Sequence, residues 1–97
     1  MKILLVCAGG VSTSLLMKKM RSHWESKNID LLIEAVSVSD YDEVKDRYDI
    51  ILIGPQIGYR FEEIKNHSGM PTAVIPSLDY GMSNCENIMS LAESLYE

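Results

Sequence analysis

Lys2-Ile-Leu-Leu-Val-Cys-Ala-Gly-Gly-Val-Ser-Thr-Ser-Leu-Leu16 decides how this chain is read. Its opening, Lys2 to Val6, is a short β-branched and leucine-rich run that predicts a buried strand. Cys7 to Thr13 is small and glycine-rich, the composition of a loop. A helix should begin around Ser12 to Ser14, where hydroxyl side chains cap the free N–H groups of a first turn. Leu16, Met20 and Trp24 recur at every fourth position and mark its inner face. Lys18, Lys19 and Arg21 lie largely outward, a solvated face rather than a binding patch. Asn28 ends the helix.

Outward from that stretch, strand and helix patterns alternate. Leu31 to Val38 reads as a second strand. Asp40-Tyr-Asp-Glu43 has capping-box spacing, with Tyr41, Val44 and Tyr48 on one face of a short helix. Ile50 to Ile53 is continuously apolar and predicts a third strand covered on both faces, stopped by Gly54 and Pro55. A third helix runs roughly from Tyr59 to His67 with Phe61 and Ile64 inward, and Asn66-His-Ser-Gly69 breaks it. Thr72 to Ile75 is the fourth strand, closed by Pro76. Ser83-Asn-Cys-Glu86 is a second capping-box spacing, and Ile88, Leu91, Ala92 and Leu95 give the last helix the clearest period in the chain. This alternation implies an α/β fold, a four-stranded parallel sheet with right-handed crossovers and helices on both faces. Ligands in such folds sit beyond the carboxyl ends of the strands. Three loops leave those ends: Cys7 to Thr13, Gly54 to Tyr59, and Ser77 to Gly81.

Ninety-seven residues suffice for a single domain with one core. The formal net charge of −5, with nine basic residues against fourteen acidic ones, argues against a nucleic-acid partner. The longest apolar runs fall far short of the ~20 residues that span a bilayer, so no direct membrane insertion is expected. The start of the chain lacks the pattern of a secretory leader, which implies a cytoplasmic protein whose two cysteines are thiols.

Cys7 then becomes the residue to explain. It stands where an apolar strand enters a glycine-rich loop leading into a helix. Gly9 and Gly10 allow backbone angles that turn successive N–H groups inward as an anion-binding nest. Ala8, Gly9, Gly10, Val11, Ser12 and Thr13 can all donate a backbone N–H, while Ser12, Thr13 and Ser14 add hydroxyls. The positive end of the helix dipole points at the same place. Thiols in such surroundings ionise more readily, and the same donors would hold a phosphate attached to the sulfur. The competing reading is a buried small hydrophobe, the usual fate of a free cysteine. The glycine pair and hydroxyl cluster favour chemistry.

The loop resembles that of low-molecular-weight tyrosine phosphatases, which place an arginine after a similar gap to grip the phosphate. Here Thr13 occupies that position and the loop holds no arginine. Hydrolysis would also need an acid for the leaving group, and Asp79 is the one plausible candidate from the third loop. A phosphocysteine that is not hydrolysed must be handed on.

Three stretches give a more specific resemblance: Val6-Cys-Ala-Gly-Gly-Val-Ser-Thr-Ser-Leu-Leu16, Leu52-Ile-Gly-Pro-Gln-Ile-Gly-Tyr59 and Ser77-Leu-Asp-Tyr-Gly81. In order and spacing the sequence resembles the enzyme IIB component of the lactose/cellobiose (chitobiose) class of the bacterial sugar phosphotransferase system, over nearly the whole chain. That resemblance implies a flavodoxin-like fold and a phosphotransferase role. It implies that Cys7 takes a phosphoryl group from a phosphohistidine on a IIA partner. The group then passes to a sugar bound in the membrane IIC permease. Ala8 through Thr13 fall on the phosphate-binding loop. Gly54, Pro55, Gln56 and Tyr59 match the second motif, where Pro55 and Tyr59 can equally serve loop packing. Gln56 could orient the phosphate, meet a partner or stabilise its loop. Ser14, Asp79 and Tyr80 complete the second-shell or partner-contacting candidates. Three positions depart from the family: Val11 stands for a methionine, Gly58 for an alanine that would leave the second loop stiffer, and Cys85 for a glycine. Cys85 lacks a glycine nest and reads as inert.

No cofactor and no metal is expected. His23 and His67 have no partner at ligand spacing, and the six methionines read as core or interface filler. Alternatives to the carrier are a phosphatase or arsenate reductase using Cys7, and a flavin or nucleotide module with Tyr59 and Tyr80 as its only flanking aromatics. A response regulator would need an acidic cluster where the first strand ends in Val6-Cys7.

Overall fold

β1 (Lys2–Cys7) occupies the interior of the sheet, paired along both edges, in a computed structural model that describes residues 1–8 and 12–96. All four strands run parallel in the order β2-β1-β3-β4, with β2 at Leu32–Ser37, β3 at Ile50–Ile53 and β4 at Thr72–Val74. The parallel sheet is what the alternating pattern predicts, and the arrangement is the flavodoxin-like one that the family resemblance implies. Interior strands covered on both faces can carry no polar side chains without partners, which is why Ile3 to Val6 and Ile50 to Ile53 are apolar and buried throughout.

Alternation along the strands feeds two cores. Ile3, Leu5, Ile33, Ile50 and Leu52 face α1 (Ser12–Ser26) and α5 (Cys85–Leu95), meeting Leu16, Met20 and Trp24 from one helix and Ile88, Met89 and Ala92 from the other. Leu4, Val6, Ile51 and Ile53 face the opposite way, onto Tyr41, Tyr48, Ile57 and Ile64. Those residues belong to α2 (Tyr41–Val44), a following 3-10 turn, and the segment ending in α3 (Phe61–Ser68). Asn28, with φ +58, follows α1.

Four local expectations change. Ser77 to Gly81 is no loop: Ser77–Met82 forms a short helix, α4. Pro76, at φ −57, is set for the turn; Tyr80 N–H bonds its carbonyl at 2.9 Å. Six residues are too few to show a helical period, and Gly81 masks the tendency further. Ser83 closes α4 at φ +51, so it cannot cap the next helix; Asn84 does, its side chain accepting the Asn87 N–H at 3.2 Å. The Asp40 carboxylate caps nothing and instead accepts the Ser37 hydroxyl at 3.1 Å. Finally, Pro55–Arg60 winds as a 3-10 segment kinked at Ile57 (φ −121), which buries that side chain and delays α3 to Phe61.

Tyr48 closes the second core by donating its hydroxyl to the Glu34 carboxylate on β2. Tyr96 pins the chain end to the sheet, accepting the Lys2 N–H at 2.8 Å and reaching Asp49 Oδ2 at 3.1 Å. Burial, reinforced by Glu34, pushes the Tyr48 phenol from its ordinary 10.0 up to about 12; burial also raises Tyr41 and Tyr96. A phenol whose folded pKa is raised contributes stability that is complete below pH ~10 and lost as pH climbs through the folded value. Urea midpoints should therefore fall steeply between pH ~10 and ~12. Tyr48→Phe should flatten that fall and cost about 1–3 kcal/mol at pH 8, because Glu34 loses its donor. Urea unfolding of both proteins across this range is the measurement.

Candidate functional site

At the carboxyl end of the sheet, β1 and its neighbours determine what surrounds Cys7. Cys7 shares its face with Ile3 and Leu5, so its side chain is directed to the α1 layer, and it is 5% exposed. Its Sγ donates to the Val36 carbonyl at 3.5 Å, fixing the thiol on the β2 side. α1 starts at Ser12, and its first turn carries no acidic residue, an unusual composition where the dipole would welcome one. No carboxylate of that turn competes with an anion for the positive end of the helix. Thr13 is buried and Ser14 exposed within the same turn. Gly9, Gly10 and Val11, the centre of the expected nest, lie outside the described residues. Ala8 follows Cys7 directly as an exposed bend.

Gly54 is the junction of the second and third motifs. Its N–H bonds the Val6 carbonyl at 2.9 Å, placing it beside the residue that precedes Cys7. A Cβ on Gly54 would meet Gln56 Oε1 at 3.2 Å, the Val6 carbonyl oxygen at 3.7 Å and Tyr80 Cε2 at 3.8 Å. The Gln56 side chain folds back over this glycine and the Tyr80 ring leans in from α4. Three expected site residues thus converge at the β1/β3 crevice. Pro55 opens the 3-10 segment, as its missing N–H allows.

Other candidates point elsewhere. Tyr59 is 84% exposed, so it takes no part in packing its loop. Asp79 turns toward α5, where its Oδ1 accepts from Asn87 Nδ2 at 2.9 Å. Gly58 backs onto β4: a Cβ there would sit 3.2 Å from Val74 Cγ1, so the glycine is a close-packed position rather than a loose one. Arg60 ends the second segment but is forked onto Glu63 through two bonds of 2.8 Å. That hydrogen bond raises the guanidinium's pKa and lowers the carboxyl's.

The sequence reading omitted one side of Cys7. Ser37 is its register partner on β2, and the Ser37 hydroxyl lies 3.0 Å from that of Ser39 and bonds Asp40. The signal was present, since the loop after β2 also leaves the carboxyl end, but it lacks glycine and drew no attention. Cys85 begins α5; burial pushes its thiol up and Lys19 partly offsets this, leaving little thiolate at neutral pH. The histidines do have acidic neighbours in space: His23 Nε2 lies 3.2 Å from Glu86 Oε1 without hydrogen-bond alignment, and His67 Nε2 lies 3.1 Å from Asp42 Oδ1. Among the described residues no group of three His, Cys, Asp or Glu side chains could hold a metal, and no helix is long and apolar enough to cross a membrane. A groove of about 510 Å³ lined by Arg21, Glu25, Asn28, Ile29, Asp30 and Leu31 lies where α1 leads into β2, at the far end of the sheet from Cys7.

Comparison with known proteins agrees with this architecture. Residues 2–91 match the family model described as the lactose/cellobiose-specific IIB subunit of the PTS system. The galactose-specific EIIB component of Lactococcus lactis is 35% identical over 101 residues, covering 96% of this chain and 94% of that protein. The oligo-beta-mannoside-specific EIIB component of Bacillus subtilis is 34% identical, covering 97% and 94%. Among solved structures, the cellobiose-specific phosphotransferase IIB component of Borrelia burgdorferi superposes with a TM-score of 0.82 at 41% identity, over 98% of this chain and 90% of that one.

The Gly54 contacts make a structural prediction. Gly54→Ala should displace the Gln56 side chain, a flexible end, while sparing the backbone, at a cost below about 1 kcal/mol. Thermal unfolding together with the shift of the Gln56 side-chain amide signals in NMR will check it; an unmoved amide would contradict the packing described.

Proposed function

Because the chain belongs to the lactose/cellobiose-specific IIB family of the sugar phosphotransferase system, we propose that Cys7 is its phosphoryl carrier. The donor is a phosphohistidine on a IIA partner. The acceptor is a sugar bound in the membrane IIC permease, which makes the protein a phosphotransferase acting with IIC from the cytoplasmic side. Its single domain spans residues 1–97. The observation that carries this reading is Cys7 at the carboxyl end of β1, followed directly by the loop into the acid-free first turn of α1.

In the first step the Cys7 sulfur attacks phosphorus in line. An S–P bond forms as the N–P bond breaks, and the thiol proton is taken up as neutral imidazole leaves. In the second step a sugar hydroxyl oxygen attacks the same phosphorus, the S–P bond breaks, and the hydroxyl proton restores the thiol. Backbone N–H groups from Ala8 through Thr13 and the positive end of α1 supply the fixed dipoles for the phosphoryl oxygens, with no metal or cofactor in the scheme. Gln56 and Tyr80 gather at Gly54, while Ser14 belongs to the first turn of α1. Pro55 and Gly54 shape the junction where the first two meet. Tyr59 stands further out, for partner contact, while Asp79 is turned to Asn87.

The hydrolytic alternative draws no support from the geometry. Its loop lacks an arginine, Arg60 is engaged by Glu63, and Asp79 is engaged by Asn87. The relatives are named for galactose, oligo-beta-mannosides and cellobiose, so the sugar proposed is of this galactoside or β-glycoside kind.

Incubation with phosphoenolpyruvate, the general phosphotransferase proteins and a IIA of this class should add one phosphoryl group, about 80 Da, by intact-mass spectrometry at neutral pH, as a phosphate held by nest donors requires. The adduct should persist without IIC, be absent in Cys7→Ser, and survive in Cys85→Ser. Release of free phosphate from an aryl phosphate with no adduct would replace the carrier with a phosphatase.

A further inference from the structure

Among the described residues six large apolar side chains are exposed, and they are not scattered. Leu32 and Tyr96 belong to the amino end of the sheet, where β2 starts and the chain end is pinned. Leu15 (57%), Tyr59 (84%), Leu78 (71%) and Met82 (68%) all lie on elements leaving the carboxyl end, where Cys7 is. Leu78 and Met82 are the central pair. They stand at i and i+4 on α4 and so share one face. The opposite side of α4 carries Tyr80, which leans over Gly54; Asp79, on the flank, is turned to Asn87. A six-residue helix that directs its aromatic residue inward and its carboxylate sideways leaves an outer face led by Leu78 and Met82, with Ser77 at its start.

Exposed side chains of this size forfeit burial unless something covers them. Charge narrows what covers them. A protein bearing a phosphohistidine brings a strongly negative phosphoryl group to a chain of net charge −5. It can dock close to Cys7 only on a surface free of opposing carboxylates. The first turn of α1, which carries Leu15, has none, and the one acid of α4 is held toward α5. We infer that Leu78 and Met82, flanked by Leu15 and Tyr59, form the apolar rim on which the phosphohistidine-bearing donor protein docks. The inference rests on the carrier reading above and adds to it the surface and its chemistry.

The test measures initial rates of adduct formation against the concentration of a phosphorylated IIA protein of the lactose/cellobiose class. Leu78→Ser/Met82→Ser should raise the donor KM about tenfold or more, with circular dichroism and melting temperature preserved, as loss of two central interface anchors does. Leu32→Ser, at the other end of the sheet, should leave it unchanged. An unaltered KM in the double variant overturns the proposal. So does a dimer of this chain alone that the double variant dissociates, since the rim would then cover a second copy. A normal donor KM with transfer to sugar lost in IIC-containing membranes overturns it too, by assigning the rim to the acceptor. Titrating unphosphorylated IIA protein onto Cys7→Ser, followed by NMR, separates this inference from the carrier reading. Shifts centred on Leu15, Leu78 and Met82 support the rim whether or not wild-type Cys7 takes a phosphoryl group; shifts elsewhere overturn it.

Discussion

The register of β1 is the constraint on which the remaining structure depends. Val6 pairs with Val36 on one side and with Ile53 on the other, and every residue from Ile3 to Val6 is buried. A slip by one position would exchange the two faces, driving Leu4 and Val6 into the α1–α5 core and turning Cys7 away from α1. Both cores oppose that slip, since each has been packed for its own set of side chains. The position of one thiol is therefore stabilised by burial along the whole strand rather than by contacts of its own. Its hydrogen bond to the Val36 carbonyl selects an orientation within a place already determined.

The same logic extends to the neighbouring motifs. Gly54 accepts close approach because it has no side chain, and its N–H is tied to Val6. Gln56 and Tyr80 come from separate segments, the 3-10 turn after β3 and the helix after β4. They meet because both strands end level with β1, Ile75 N–H bonding the Ile53 carbonyl at 2.9 Å. Parallel strands ending together create a rim, and the loops above it need only short reaches to converge.

How much of this the sequence disclosed depended on the length of each signal. Strand Ile50–Ile53 and the inner face of α1 were legible because burial on both faces, or at every fourth position, leaves a composition that no loop imitates. α4 was not, since six residues show no period and its Gly81 disfavours a helix; its start depends on Pro76 and its end on Ser83 at positive φ. Capping boxes misled twice. At Asp40 a neighbouring hydroxyl competes for the carboxylate, and at Ser83 the preceding helix already uses the residue. Cys7 and the Gly54 motif were visible as chemistry out of place in apolar surroundings. The Leu78–Met82 face was invisible for the opposite reason: apolar residues in a sequence read as core until a fold shows them uncovered.

Electrostatics connects these features. A dianionic phosphoryl group on an acidic chain would be destabilised by nearby carboxylates, yet Asp40 and Asp79 lie on segments flanking the carboxyl end. Each has a donor of its own, Ser37 for Asp40 and Asn87 for Asp79. Glu63, by contrast, has a counter-charge in Arg60, whose guanidinium is thereby engaged. On the carrier reading, the phosphoryl group is left with neutral N–H and hydroxyl donors and the end of a helix dipole. Charge-assisted bonds from a guanidinium would be about twice as strong. An intermediate held that firmly would resist transfer to the next acceptor, whereas dipoles and neutral donors stabilise the phosphocysteine without trapping it. On the carrier reading, the two aspartates keep their charge but are each held by a partner of their own, and with Arg60 engaged by Glu63 the bound group stays transferable.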